Sequence, residues 1–449
     1  MIFPQSRLLF WVAVLVLPFA TIAGVYPDAA LVCFTLVGVF LIAVLIDAIL
    51  SFGALQTIAL KASPVVRASK DRPGKLELFI QNSRPGSKHL RIGLPFAVAG
   101  SAGSPITSDH ETLDLTIPAT EFSRIDWPFY AHRRGNFPLT RAFVESPSPF
   151  GFWAFRRSYP LQGEIRVYPN LLTERKNLAA LFLNRGSFGL HAQRQVGKGR
   201  DFEKLREYVP GDGFDEIHWK ATAKRGHPIT KVFQVERTQE VYVVIDASRL
   251  SAREARAGDA SVPVLERYIT AALVLGLAAE RQGDLFGLLT FSDRIESFIR
   301  ARNGRAHYHA CRDAIYALEP RSVTPDFDEL ASFIRLRMRR RALLIVLTAL
   351  DDSVLAESFV RNMDLLRRQH LLLVNMVKPA GVNPLFSDPA VQNQDDVYEH
   401  LRGHLQWQNL RELQKILQRR GVDFSLLENE RLSVDLVTQY LNVKQRQLL

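Results

Sequence analysis

The chain has almost no cysteine: two in 449 residues, Cys33 and Cys311. Cys33 lies in a long apolar run and Cys311 far downstream in a polar region, so an intramolecular bridge has no geometric basis. A disulfide-built scaffold is excluded, which fits a reducing compartment. Two enzyme motifs are missing as well. No G-x-x-x-x-G-K-[ST] phosphate loop occurs, since Val196-Gly197-Lys198-Gly199 lacks both the leading glycine and the hydroxyl residue. No H-E-x-x-H zinc motif occurs either, because His110-Glu111 continues into Thr112-Leu113-Asp114. Acid is in short supply: 46 Asp and Glu stand against 57 Lys and Arg, a net charge of +11. That balance favours acidic partners, of which an anionic lipid leaflet is the nearest for a membrane-bound chain; nucleic acid is not expected. A 47% hydrophobic share with 23% charged residues excludes both a disordered chain and a polytopic transporter.

Charge is also absent from two long stretches near the start. Residues 8–25, LLFWVAVLVLPFATIAGV, and residues 29–46, AALVCFTLVGVFLIAVLI, contain none. Each would span about 27 Å at about 1.5 Å per residue, close to a bilayer core. Only Tyr26, Pro27 and Asp28 separate them, so residues 1–52 read as a transmembrane helical hairpin whose outer ends face one side. The first run is too long for a signal-peptide core and has no cleavage site before a polar mature terminus. Arg7 precedes the hairpin and Lys61, Arg67, Lys70 and Arg72 follow it, while its tip carries only an acid. The positive-inside bias therefore predicts that both termini and the soluble domains lie in the cytoplasm, and the family resemblance given below implies that the membrane is a bacterial inner membrane. Asp47, at the inner end of the second run, is expected to be an interfacial carboxylate reaching water.

From 55 to 170 the pattern is one of short alternating segments between Pro and Gly turns, such as KLELFIQNS, TLDLTIPA and PLTRAFVES. Six or seven strands so spaced predict a small β-sandwich without a catalytic constellation. Its aromatics, Trp127, Phe129, Tyr130, Phe150, Phe152, Trp153 and Phe155, read as core.

After a connecting segment, 171–240, the remainder at 241–449 alternates strands with helices. Continuous apolar runs, Val241 to Ile245 and Ala342 to Leu347, are typical of strands buried on both faces of a parallel sheet. The fold class is thus membrane-anchored and multidomain: helical hairpin, β-sandwich, then a doubly wound α/β domain. In such sheets ligands gather beyond the carboxyl ends of strands. The first run ends in Asp246-Ala247-Ser248-Arg249-Leu250, and here the sequence resembles the von Willebrand factor A-like domain. That family holds a divalent cation with D-x-S-x-S, a threonine from a later loop and an aspartate after a later strand. The resemblance maps Asp246, Ser248 and Thr324 onto the ligand set, with Leu250 and Ala349 in place of two oxygen donors. Asp351 and Asp352 follow closely as candidate replacements. A hard, oxygen-seeking ion such as Mg²⁺ needs near-octahedral geometry and carboxylates. No cofactor is therefore expected, Mg²⁺ being the one ion the degenerate set would take, and the default reading is that Asp246 and Ser248 cap a helix.

Residues 199–238, GRDFEKLREYVPGDGFDEIHWKATAKRGHPITKVFQVERT, carry a second resemblance. Phe202, Leu205, Arg206, Tyr208, Pro210, Gly211, Asp212, Ile217, Trp219, Lys220, Ala221 and Ala223 match the signature of the bacterial family known as domain of unknown function 58. RRGNFPL, SPSPFGFW and IRVYPN upstream are similar to the same family. Departures fall at Gly213, Asp215 and His218. Tyr208, Asp212, Trp219 and Lys220 are the candidates for partner or domain contact, and a buried clasp is the expected state of Trp219. The resemblance implies a non-enzymatic adaptor or scaffold working with a MoxR-type AAA+ ATPase, and with a transglutaminase-like membrane protein, in assembly or maturation of other proteins. The alternatives are a metal-dependent ligand-binding or adhesion module and a hydrolase. Cys311 with His307 and His309 falls on a helix away from strand ends, so a nucleophile is not expected there. Arg335 to Arg341 reads as a basic helix end that complements the helix dipole.

Overall fold

A computed structural model describes the chain except residues 84–85, 99–102, 119–121, 185–195, 211–212, 235–238, 258–259, 386, 388–392 and 447–449. It divides into two compact units, Met1–Asn170 and Leu171–Leu449.

The first unit begins with two helices, Ser6–Val25 and Pro27–Ser51, of 20 and 25 residues, long and apolar enough to cross a membrane. Only 6% and 17% of their most apolar windows are buried within the protein, so their side chains face outward. That suits lipid and not an aqueous core. The first helix passes through a π turn at Val12–Val16 just before Pro18, whose missing N–H breaks the regular ladder.

Asp47 does not reach water. It is fully buried and accepts hydrogen bonds from Ser148 Oγ (2.5 Å), the Phe150 N–H (3.1 Å) and the Phe152 N–H (3.3 Å). Ser148 Oγ in turn accepts the Trp153 N–H at 3.0 Å, and Trp153 Nε1 donates to the Val44 carbonyl at 3.0 Å. Phe40 meets Phe152 edge to face at 5.8 Å. The SPSPFGFW segment is therefore a turn that wraps the C-terminal end of the second helix and satisfies its carboxylate. Burying that charge without these three donors would be prohibitive.

The rest of this unit is two sheets around one core. One runs Ile58–Ala62, Pro73–Asn82, Phe122–Ala131, Ile106–Ser108, Ala97–Val98; the other runs Ile2–Pro4, Trp153–Tyr168, Gly135–Pro147, Lys88–Gly93, Thr112–Ile117, with Val65–Ser69 added in parallel to Trp153–Tyr168. Leu76, Leu78 and Ile80 alternate inward from one strand, as Trp127, Phe129 and Ala131 do from its neighbour, all wholly buried. Three aromatics expected in the core are outside it: Tyr130 is 39% exposed, Phe150 56%, and Phe152 is half-buried against Phe40. Tyr130 falls at the outward phase of the alternation, and the two phenylalanines fall on the turn that holds Asp47.

The second unit contains a six-stranded sheet: β1 (Glu240–Asp246), β2 (Leu285–Phe291), β3 (Ile295–Arg302), β4 (Leu343–Leu347), β5 (Leu371–Val377) and β6 (Asp423–Leu427). Their order is β3-β2-β1-β4-β5-β6, all parallel except β3, which is antiparallel to β2. Successive residues of β1 feed opposite cores. Val241, Val243 and Ile245 pack with helices Val264–Arg281, Arg305–Ile315 and Leu432–Gln445, whereas Tyr242 and Val244 pack with Phe327–Arg337, Ser353–Leu366 and Gln394–Arg419. The segment before the sheet is structured too: helix Leu172–Asn184 adds Leu178 to the first core, and Val196–Glu207 pairs with Ile229–Gln234.

The Asp47 clasp generates a prediction. Unfolding of the full chain in detergent should be easier by about 1–3 kcal/mol in Asp47→Ala, because Ser148 and two amides lose their acceptor. Ser148→Ala should couple to it, the double variant falling short of the sum by about 0.5 kcal/mol or more. Strict additivity would mean the two groups do not interact.

Candidate functional site

Parallel strands deliver their following loops to one edge, and the connections diverge between β1 and β4, so the crevice there is where a ligand is expected. Asp246 ends β1 at that point and is wholly buried. Its Oδ1 accepts the Ser248 N–H at 2.8 Å and its Oδ2 accepts the Thr348 hydroxyl, from the end of β4, at 2.6 Å. Tyr268 from helix Val264–Arg281 donates its hydroxyl to the Thr348 carbonyl at 3.0 Å. Burial pushes the Asp246 carboxyl above the usual carboxylate range; the bonds from Thr348 and Ser248 oppose this and the charge of Glu296 adds to it. Glu296 itself accepts the Ser292 hydroxyl at 2.7 Å and lies 3.1 Å from Arg321 Nε.

The sequence-derived candidates separate here. Asp246 and Ser248 are together, and Ser248 Oγ caps the tight turn Arg249–Ala252 by accepting the Leu250 N–H at 3.3 Å. Thr324 is exposed, its hydroxyl accepting from Arg249 Nε at 3.4 Å. Leu250 and Ala349 are buried in the second core. Asp351 is paired with Arg253, and Asp352 caps the helix Ser353–Leu366 by accepting the Val354 and Leu355 N–H groups. Both are thus engaged away from Asp246. Among the described residues no group of three His, Cys, Asp or Glu comes together as a metal would require. Thr348 was missed by sequence reasoning; the signal was a lone hydroxyl at the end of the apolar run ALLIVLTAL.

The signature segment forms a hairpin with a short helix, Trp219–Arg225, across its turn. His218 occupies the N-cap, its Nδ1 accepting the Ala221 N–H at 3.0 Å, and Gly226 ends the helix in the left-handed conformation, φ 76°. Histidine thus does the capping work an aspartate would do at that position. Trp219 is 67% exposed, so the buried clasp expected of it is not what the fold provides. Lys220 is exposed beside it, and Phe214 (75%) and Val209 (52%) are exposed in the same hairpin. Tyr208 is half-buried and its N–H donates to the Pro228 carbonyl at 3.0 Å. Asp212 lies outside the described residues. On helix Arg305–Ile315, Cys311 is wholly buried, with His307 Nε2 3.6 Å from its Sγ, and burial pushes its thiol up to about 12.

Residues 204–385 match the family model described as "Protein of unknown function DUF58". Uncharacterized proteins of Mycobacterium bovis and Mycobacterium tuberculosis are 23% identical over 209 residues, 46% of this chain; the chain spans 64% of their length. Among solved structures, the conserved hypothetical protein BatB from Bacteroides thetaiotaomicron is similar at 12% identity, covering 46% of this chain and 99% of that one, with a TM-score of 0.30. An aerotolerance-related membrane protein from Bacteroides fragilis is similar at 11% identity, covering 45% and 98%, with a TM-score of 0.29.

The raised Asp246 carboxyl has a consequence for stability. The native state keeps this proton to higher pH than the unfolded chain, so the group's contribution is fully present below the ordinary carboxylate range and is lost as pH rises through the raised value. Asp246→Asn stays neutral throughout. Measured by denaturant titration, its stability relative to the parent should therefore improve with rising pH by about 1.4 kcal/mol per unit across that interval and then level off. A difference independent of pH would show that burial does not disfavour the ionised carboxylate.

Proposed function

We propose that this protein is a membrane-anchored, non-enzymatic adaptor that works with a MoxR-type AAA+ ATPase in assembling or maturing other proteins, its soluble units on the cytoplasmic side of a bacterial inner membrane. The observation that carries the reading is the exposed signature hairpin: Trp219, Phe214 and Val209 stand in solvent next to Lys220. Large aromatics are costly to leave exposed unless a partner covers them, and they dominate the energy of the contacts they enter. The match of the family model to residues 204–385, which include this hairpin's turn, supports the same reading. The two apolar helices support the anchor, and the basic residues flanking them support its orientation.

The strand-end site, in this proposal, acts without a metal. Both oxygens of Asp246 already accept hydrogen bonds from the protein, and Leu250 and Ala349 offer no side-chain oxygen. A Mg²⁺ ion gives up its waters reluctantly and needs carboxylates to hold it.

Two experiments test this. The full chain in nanodiscs should co-elute with its cognate MoxR-type ATPase in the presence of nucleotide, and the double variant Trp219→Ala, Phe214→Ala should weaken that binding about thirtyfold or more. Undiminished binding, or turnover of nucleotide or peptide by the chain alone, would overturn the adaptor reading. Calorimetric titration with millimolar Mg²⁺ or Mn²⁺ should give no saturable heat; micromolar affinity abolished by Asp246→Ala would restore the metal-dependent alternative.

A further inference from the structure

Parallel strands bring the loops that precede them to the edge opposite the Asp246 crevice, and the loops before β4, β5 and β6 meet there. Gln369, before β5, donates its Nε2 to the carbonyls of Met338 (3.0 Å) and Arg339 (2.8 Å), before β4. Arg367 Nη1 comes within 3.9 Å of the place that a Cβ on Gly421, before β6, would occupy. The three loops therefore form one surface. Their sequences are RLRMRRR (335–341), DLLRRQH (364–370) and QRRGVD (418–423), which hold nine arginines, all exposed, and two acids. A third acid, Glu240 at the start of β1, lies 3.8 Å from Arg340. Asp364 accepts Arg367 Nε at 2.6 Å. That hydrogen bond holds its carboxyl below the ordinary range against the effect of burial, and the charges of Arg367, Arg420 and Arg368 add to the pull, so guanidinium groups of two loops surround one carboxylate.

Complementing helix dipoles does not account for so many cations. Three helices end at this edge, Phe327–Arg337, Ser353–Leu366 and Gln394–Arg419, each presenting about half a negative charge, roughly one and a half in all. Nine arginines against three carboxylates leave a surplus of six positive charges, several times what the helix ends take up. Two leucines stand among them. Leu336, between Arg335 and Arg337 in the last turn of its helix, is 75% exposed, and Leu365 is 41% exposed. Phosphates of any polyanion suit the guanidinium forks, but they offer leucine nothing. A layer of phosphate head groups over acyl chains engages both kinds of side chain.

We propose that this arginine edge docks on the anionic leaflet of the membrane that anchors the chain, with guanidinium groups on lipid phosphates and Leu336 and Leu365 at the head-group boundary. It rests on anchoring by the two apolar helices and not on any ATPase partner. The tether keeps the leaflet at high effective concentration, so a contact that is weak by itself suffices. Docking this edge turns the Asp246 crevice, on the opposite edge, away from the bilayer.

The test uses the full chain in nanodiscs of neutral lipid, or with about one-third phosphatidylglycerol, that carry a nitroxide quencher on some head groups. Gln418→Cys, in the edge, and Ser353→Cys, just beyond the carboxyl end of β4, each take a fluorophore, the native Cys33 and Cys311 being buried. Quenching at 418 should be several-fold stronger in anionic discs than in neutral ones, quenching at 353 should stay low in both, and salt near 1 M should abolish the difference. Combining Arg339→Gln, Arg368→Gln and Arg420→Gln should lower the ratio of docked to undocked chain about fivefold per arginine, with the thermal unfolding midpoint unchanged. Leu336→Ser should lower the ratio at constant charge. Equal quenching at 418 in the two kinds of disc, or no loss in the folded triple variant, would overturn the proposal. Displacement from anionic discs by micromolar short RNA would overturn it in favour of nucleic acid, and by micromolar polyglutamate in favour of an acidic protein. Recovery of the chain with neutral discs checks the anchor by itself, so a failed dock is distinguishable from a failed anchor.

Discussion

The second unit is organised around a carboxylate that has been taken out of water. Asp246 lies where β1 ends and the crossovers diverge, and its two oxygens are held by an amide of its own loop and a hydroxyl from β4. That arrangement ties the ends of the two central strands together at the one place where the sheet's connections leave a gap. Ser248 caps its turn by accepting the Leu250 N–H, Leu250 lies in the core, and Ala349 follows Thr348 into the same core. An isolated buried charge would cost far more than the strand ends can offset, so the donors are obligatory and the group's proton affinity is raised.

Asp47 in the first unit obeys the same constraint in a different setting. It too is fully buried, and it too is satisfied by a hydroxyl and main-chain amides. There the donors come from a turn about a hundred residues later in the chain, so the end of a membrane-length helix and the start of strand Trp153–Tyr168 are fixed to each other. The N-terminal strand Ile2–Pro4 pairs with that same strand, which attaches the first helix as well. Polar groups at the end of an apolar helix thus define where the hairpin stops and the folded domain begins.

The legible parts of the sequence were those with a strong period. Uncharged runs gave the two long helices, and the continuous apolar runs gave β1 and β4 because both of their faces are buried. β6 and the helices Gln394–Arg419 and Leu432–Gln445 were not anticipated. DFSLL is short and begins with a charge, and Gln394–Arg419 places few apolar residues among many polar ones, so neither has a clear pattern. The fate of single polar residues was the least legible. Asp47 looks from its position like an interfacial carboxylate, and only the fold brings Ser148 to it; Thr324 matches a ligand position in the chain yet is drawn to Arg249. Trp219 was expected to form a buried clasp, but the helix that carries it is seven residues long and capped at both ends by local groups, so it folds without burying the indole.

Tethering changes what such surfaces must achieve. A chain held at a membrane meets membrane-bound partners at an effective concentration set by the tether, in the millimolar range for short links, so contacts that are weak alone suffice in combination. A protein so held gains from several modest, chemically distinct contacts rather than one tight site, and the exposed Trp219 and Phe214 are suited to one of them. With Leu250 and Ala349 packed in the core, the crevice at the end of β1 offers Asp246 only the protein's own donors, the Ser248 N–H and the Thr348 hydroxyl.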